Sequence, residues 1–182
     1  MAVAPTRMTE EEFLNLPEDG HKYELVEGEA RVVSPLYLEH EELVTHLIAL
    51  LHPFTRKRGR LYGSSAGFRM ASGNIRCPDV SFIRRERLPG GRSPRSFGAG
   101  APELCIEIIS ASEDRQEMRQ KVAEYFEAGA QQVWHLFPET QRLLLYTSPK
   151  EVTTLEAEKE VDGGDLLPGF RCKVADLFDL GD

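Results

Sequence analysis

The sequence predicts an α/β fold, a mixed β-sheet flanked by helices. Three observations lead there. Helix-like and strand-like segments alternate along the chain, the order expected when helices pack on a sheet. The run Leu104-Cys105-Ile106-Glu107-Ile108-Ile109 is apolar apart from one acid. It is too short for a helix and reads as a strand buried on both faces. Leu43, Leu47, Leu50, Leu51 and Phe54 recur at helical spacing, so roughly residues 37 to 57 form an amphipathic helix.

Taken in order, Thr9-Glu10-Glu11-Glu12 carries the Thr-x-x-Glu capping-box pattern and starts a short helix ending near Leu16-Pro17. Pro17-Glu18-Asp19-Gly20 is a turn. Lys22 to Val26 and Arg31 to Val33 form a hairpin around a tight Glu27-Gly28-Glu29 turn. The long helix follows; Pro53 ends or kinks it and Gly59 stops it. Strands are expected from Leu61 to Met70 and from Ile75 to Ile83, then a mobile loop from Leu88 to Pro102. After the strand around Glu107, Ser110-Ala111-Ser112-Glu113 caps a helix that runs to about Ala128, with Gly129 as its stop. Strands at Gln132 to Phe137, Leu143 to Tyr146 and Val152 to Leu155 follow. A Gly163-Gly164 turn and a short helix from Val174 to Leu180 complete the pattern. No repeat or linker divides the chain, so residues 1–182 are expected to form one domain.

Composition narrows the function. The net charge is −8, which disfavours broad, non-specific grip on nucleic acid but leaves room for a local basic groove. Arginines cluster at Arg56, Arg58 and Arg60 with Lys57, and again at Arg84, Arg85, Arg87, Arg92 and Arg95. These are either solvated charges or a phosphate-binding surface. No apolar stretch approaches the roughly 20 residues of a membrane helix. The first seven residues lack the apolar core of a signal peptide, so a cytoplasmic protein is expected. Cys77, Cys105 and Cys172 lack metal-ligand spacing and read as reduced thiols.

Glu107 is the residue that asks for an explanation. Burying an unpaired carboxylate costs several kcal/mol, on the order of the desolvation of one ion. It needs an arginine or lysine, a proton, or a metal ion. Val80 and Phe82 share one face of their strand, which puts Asp79 on the other. If that strand neighbours the Glu107 strand, the two carboxylates come side by side. A divalent cation would resolve their repulsion, and oxygen-only ligands favour magnesium or manganese. The main-chain carbonyl of Ile108 could add a third ligand. Lys121 is the only lysine between Lys57 and Lys150. It falls on the shoulder of its helix's buried face, about 60° from Met118 and about 40° from Tyr125. From there it can reach the strand from which the helix emerges, or else pair with Glu117 or Glu124. Glu24 alternates out of phase with Tyr23 and Leu25 and is expected to face solvent. His40 could reach the site or cap a helix; His135 reads as a packed core histidine.

These residues carry a resemblance. Pro78-Asp79, followed by Glu107 in an apolar strand, resembles the PD-(D/E)XK nuclease signature. Four stretches together resemble the Uma-type family of restriction endonucleases. They are Lys22 to Glu29, Pro78-Asp79-Val80, Pro102 to Ser110, and Lys121-x-x-x-Tyr125-x-x-x-Gly129. The likeness spans about Thr9 to Phe178. It implies a restriction-endonuclease-like mixed β-sheet and magnesium-dependent cleavage of DNA. Asp79 and Glu107 would bind metal, and Glu24 would match the acid contributed ahead of the core. The lysine of the superfamily pattern, two positions after Glu107, is Ile109 here. Lys121 matches a position on the following helix to which related sequences move it. Cutting both strands of a duplex needs two sites, so a homodimer or higher oligomer is expected. The competing reading is a binding or interaction module that keeps the fold without turnover, in which Glu107 pairs with an arginine such as Arg69 or Arg76.

Overall fold

The structure, a computed structural model, describes residues 7–17, 19, 21–33, 37–111 and 113–181. Along the chain run α1 (Glu10–Leu14), β1 (Lys22–Val26), β2 (Glu29–Val33), α2 (Leu38–Thr55) and β3 (Gly59–Gly63). Next come β4 (Phe68–Arg69), β5 (Ile75–Arg76), β6 (Val80–Arg84), β7 (Gly98–Ala99), β8 (Leu104–Ile108) and α3 (Arg115–Glu127). The last are β9 (Gln132–Phe137), β10 (Arg142–Tyr146), β11 (Val152–Leu155), β12 (Glu160–Asp162) and β13 (Arg171–Lys173).

The α/β architecture is as expected, but the strands divide into separate sheets. A six-stranded sheet has the order β11-β10-β9-β8-β6-β3, and a five-stranded sheet the order β2-β1-β5-β4-β7. Strands β12 and β13 pair alone. The two long strands expected at 61–70 and 75–83 are each broken. Gly63 to Gly67 lets the chain leave β3 in one sheet and enter β4 in the other. Cys77, Pro78 and Asp79 return it from β5 to β6. Pro78 cannot donate to a ladder, which is why the break falls there.

Strand β8 lies at the centre of the larger sheet. It is antiparallel to β6 and parallel to β9, joined to β9 through α3. The α2 face of this sheet is apolar: Val80, Phe82, Leu104, Ile106, Trp134 and Leu136 pack against Leu43, Leu47 and Leu51 of α2. Residues of the C-terminal tail, among them Leu167, Phe170 and Val174, close this core. On the opposite face α3 presses Val122 and Tyr125 against Cys105, Val133 and Ile83, with Phe68 from the smaller sheet beside them. The carboxylate of Glu107 lies on this α3 face.

Local chemistry explains most boundaries. Thr9 and Glu12 cap α1 reciprocally, as the capping box requires. The β1–β2 hairpin turns on two residues, Glu27 (φ 54°) and Gly28 (φ 81°), the left-handed pair of a type I′ turn. Asn74 steadies it by accepting the Glu27 N–H at 2.8 Å. Helix α3 begins later than expected. Its N-cap is Asp114, whose side chain accepts from the N–H groups of Gln116 and Glu117; Ser112 lies outside the described residues. So do Glu18 and Gly20 of the expected turn and residues 1–6 at the N-terminus. Helix α2 runs through Pro53 to Thr55, and Gly59 opens β3 rather than stopping the helix. The expected loop from Leu88 to Pro102 holds a short helical turn, Pro89–Gly91, and strand β7. The C-terminal helix is one 3-10 turn, Val174–Leu177. All three cysteines are free thiols. Among the described residues no helix is long and apolar enough to cross a membrane.

Candidate active site

The register of β6 and β8 pairs Val80 with Ile106 and Ser81 with Cys105. One step further along, Asp79 and Glu107 stand across from each other at the same end of the sheet. Both are buried, at 6% and 5% exposure. Asp79 Oδ2 accepts the Ile108 N–H at 2.8 Å. Its Oδ1 lies 3.4 Å from His40 Nε2, delivered by the first turn of α2. Burial pushes the Asp79 carboxyl up, but His40 and the Ile108 N–H outweigh it and hold it below the ordinary carboxylate value.

Helix α3 supplies the partners of Glu107. Lys121 and Tyr125 are one turn apart and project to the same side. Lys121 Nζ lies 3.1 Å from Glu107 Oε2, and the Tyr125 hydroxyl donates to Glu107 Oε1 at 2.5 Å. The Lys121 ammonium is also 3.5 Å from Glu24 Oε1. It therefore pairs with neither Glu117 nor Glu124. Burial drives the Glu107 carboxyl up to about 7; Lys121 opposes this, while Asp79 and Glu24 add to it. Burial would strip the proton from Lys121, but the surrounding carboxylates, Glu107 foremost, raise its pKa above the ordinary value. It stays a cation.

Glu24 is buried at 5% exposure, not solvent-facing. Alternation sets it out of phase with Leu25 as expected, yet on that side it meets the side chains of Arg76 from β5 and Lys121 from α3. Glu24 accepts from Arg76 Nη1 at 3.0 Å and from the Cys77 N–H at 2.8 Å. Arg76, 1% exposed, also donates to Glu124 of α3 at 2.7 Å, and Asn74 donates to the same carboxylate at 2.9 Å. Arg76 therefore bridges β1, β5 and α3 and does not pair with Glu107. Arg69 is likewise engaged elsewhere, in a two-pronged pair with Glu10. Sequence reasoning missed the parts played by Tyr125 and Glu124. The spacing Lys121-x-x-x-Tyr125 was the available signal for the first; nothing local marks the second.

The donor set fits a hard divalent cation. The available atoms are carboxylate oxygens of Asp79 and Glu107 and a main-chain carbonyl at Ile108. Each carboxylate oxygen keeps a lone pair beyond its present hydrogen bond. Glu24 and Glu107 share the Lys121 ammonium; burial raises the Glu107 carboxyl most, and the nearby Asp79 and Glu24 carboxylates add to it. No ready-made group of three or more His, Cys, Asp or Glu ligands occurs among the described residues. Two carboxylates with water completing the shell is the arrangement magnesium tolerates best.

The remaining candidates sort cleanly. His135 is Glu107's neighbour across β8 and β9 but is 1% exposed, with neither ring nitrogen hydrogen-bonded. It packs edge-on to Tyr146, with 5.1 Å between ring centroids. Arg84, Arg85 and Arg87 lie at or beyond the far end of β6 from Asp79, about 17 Å along a strand of that length. Arg87 donates to the Ala99 and Ala101 carbonyls, and Arg85 to the Arg56 carbonyl. These serve the loop rather than the acid cluster.

Comparison with known proteins bears on the fold and the family. No curated protein matched the chain. A solved structure from Anabaena variabilis ATCC 29413, described as a "putative nuclease belonging to DUF820", superposes with a TM-score of 0.83. It is 21% identical, with 95% of this chain and 98% of that one covered, and shows the fold. The family model Uma2, described as "Putative restriction endonuclease", matches residues 10–175. The chain belongs to the Uma2 family, whose description is that of a nuclease.

Proposed function

We propose that this chain is a metal-dependent endonuclease that hydrolyses DNA phosphodiester bonds, residues 1–182 acting as one nuclease-like domain. The observation that carries the proposal is the convergence of Asp79, Glu107 and Lys121, with Lys121 Nζ at 3.1 Å from Glu107. Asp79, Glu107 and the Ile108 carbonyl would hold magnesium or manganese, which when bound supplies Lewis-acid polarisation and an activated water. The neighbouring carboxylates favour the protonated form of Lys121, which suits a donor rather than a base. The ammonium donates hydrogen bonds to the attacking water or to the oxygens on which charge develops at phosphorus. Glu24 and Arg76 fix where the ammonium sits. Tyr125 fixes the rotamer of Glu107, and His40 fixes that of Asp79. Lys121 takes from α3 the place that Ile109 leaves open on the strand. A homodimer acting in the cytoplasm is part of this reading.

Purified protein with magnesium should cleave DNA, and Asp79→Ala should abolish cleavage while the protein stays folded. Titration calorimetry that detects no divalent cation binding would refute the proposal. One observation favours a second reading: every acid of the cluster already has a protein partner. A catalytically silent interaction module would show the same internal pairing, and magnesium would then leave its melting temperature unchanged.

A further inference from the structure

Two clefts leave the end of β8 where Glu107 lies, and they differ in charge. Both are lined by Ile109, Ser110 and Glu139, so they fork at the segment that follows Glu107. The larger, about 770 Å³, opens between the start of α2 and the C-terminal tail. Its charged walls are Glu39, Glu139, Asp176 and Asp179, with His40 as its single basic side chain. The smaller, about 560 Å³, lies between α3 and the β9–β10 hairpin. Arg115, Arg119 and Arg142 line it, against Glu113 and Glu139.

None of the three arginines is held in an ion pair among the described residues; the arginine ion pairs there involve Arg31, Arg69, Arg76, Arg87 and Arg171. Arg115 and Arg119 are four apart and both exposed, so they stand side by side on α3. Arg142 faces them from β10. Its guanidinium carbon sits 5.2 Å from the centre of the Phe137 ring, and its buried Nε has no hydrogen-bond partner. Arg119 is close enough to Tyr146, on the same strand as Arg142, to act on its hydroxyl electrostatically. Glu113 is partly spent, accepting the Ser110 N–H at 2.9 Å. The N–H groups at the start of α3 are taken by Asp114, which leaves the guanidinium groups as the anion donors. Planar forks of this kind suit phosphate oxygens, and one of them is already stacked on an aromatic ring.

We propose that the Arg115–Arg119–Arg142 groove binds the phosphate backbone of the DNA strand that reaches the acid cluster, so that on this side of the site the strand runs along this groove rather than along the acidic cleft. The inference rests on the nuclease reading for its substrate. It adds a direction, because a polyanion at the fork meets three arginines against Glu113 and Glu139 on one side, and on the other four carboxylates with His40 as the one basic group.

The test is binding, measured without turnover. Fluorescein-labelled 20-mers of single-stranded DNA, the matching duplex and the matching RNA are titrated with full-length protein in EDTA, and anisotropy is followed from 50 to 200 mM salt. The combined Arg115→Gln, Arg119→Gln and Arg142→Gln variant should weaken DNA binding at least tenfold at 50 mM salt. The slope of log affinity against log salt should flatten by about 0.7–0.9 for each phosphate that the variant no longer neutralises. Asp176→Asn with Asp179→Asn should bind as tightly as the wild type or more tightly. Arg142→Lys, which keeps the charge, should keep more affinity than Arg142→Gln and guards against a folding defect. Equal affinity and slope for the triple variant and the wild type would overturn the groove, as would a wild type that binds RNA alone or none of the probes. A wild type that binds DNA through these arginines yet never cuts with magnesium would leave the groove standing and remove the nuclease reading.

Discussion

The two faces of the six-stranded sheet are built from alternate residues of the same strands, yet they hold different chemistry. Toward α2 stand Val80, Phe82, Ile106, Trp134 and Leu136, an uninterrupted apolar surface. Toward α3 the apolar Ile83, Cys105 and Val133 are interrupted by Ser81, Glu107 and His135, buried and polar, with the buried Asp79 at the strand end beside them. The first face stabilises by removing hydrocarbon from water. The second gives up part of that stability to hold charges where solvent cannot screen them. Strand periodicity of two is what lets one run, Leu104 to Ile108, do both.

The contrast predicts how substitutions on each face should differ. The largest effect is expected from Lys121→Met. Cleavage under single-turnover conditions should fall about 10²- to 10³-fold, the scale of losing one positioned donor in a dry site, while circular dichroism shows an intact fold. Wild-type cleavage by this variant would remove Lys121 from the chemistry. Ile106→Ala, one residue from Glu107 on the other face, should do the reverse. It should lower stability by about 2–5 kcal/mol in urea melts and leave cleavage per folded molecule unchanged. A specific loss of activity there would mean that the faces are not separable.

His135 sharpens the comparison through pH. Burial, with Lys121 adding to it, pushes its pKa down to about 4, against about 6.5 in the unfolded chain. Above the unfolded value both states are neutral and nothing is lost. Below it the unfolded state takes up a proton that the folded state refuses, so stability falls as pH drops from about 6.5 toward 4, by at most ~3 kcal/mol. His135→Phe should flatten this part of the profile, seen as a smaller drop in melting temperature between pH 7 and 5. An unchanged profile would show that His135 finds a proton partner in the fold. The smallest effect belongs to Tyr125→Phe. Losing a hydrogen bond to a charged acceptor should cost about 1.5–3 kcal/mol of stability and reduce cleavage by a smaller factor than Lys121→Met does.

Much of the α3 face was legible in the sequence. The acid inside Leu104 to Ile109 and the parity of Asp79 against Val80 are local facts, and adjacency of β6 and β8 was enough to bring them together. Lys121 was legible as an isolated lysine on a helix shoulder. Glu24 was not, because strand alternation says which side a residue takes but not what covers that side. Nothing local in the sequence couples Arg76 to its partners, Glu24 and Glu124, which lie 52 and 48 residues away. The division into two sheets was hidden for a related reason. Gly63 to Gly67 and Cys77 to Asp79 read as strand interiors until the pairing of each half is known.

The Arg76 bridge has a consequence for how the molecule assembles. Its guanidinium can be buried only when β1, β5 and α3 are all in place, since each supplies or positions a partner. Closing loops of about fifty residues is slow relative to forming a helix or a hairpin, and a guanidinium trapped halfway is costly. The smaller sheet is therefore expected to dock late, after α3 has formed on the larger one. The Lys121 ammonium would gain its Glu24 partner only in that last event. Pulsed hydrogen exchange during refolding would then find the amides of β1 and β5 protected after those of β8 and β9, so that competence for chemistry and completion of folding arrive together.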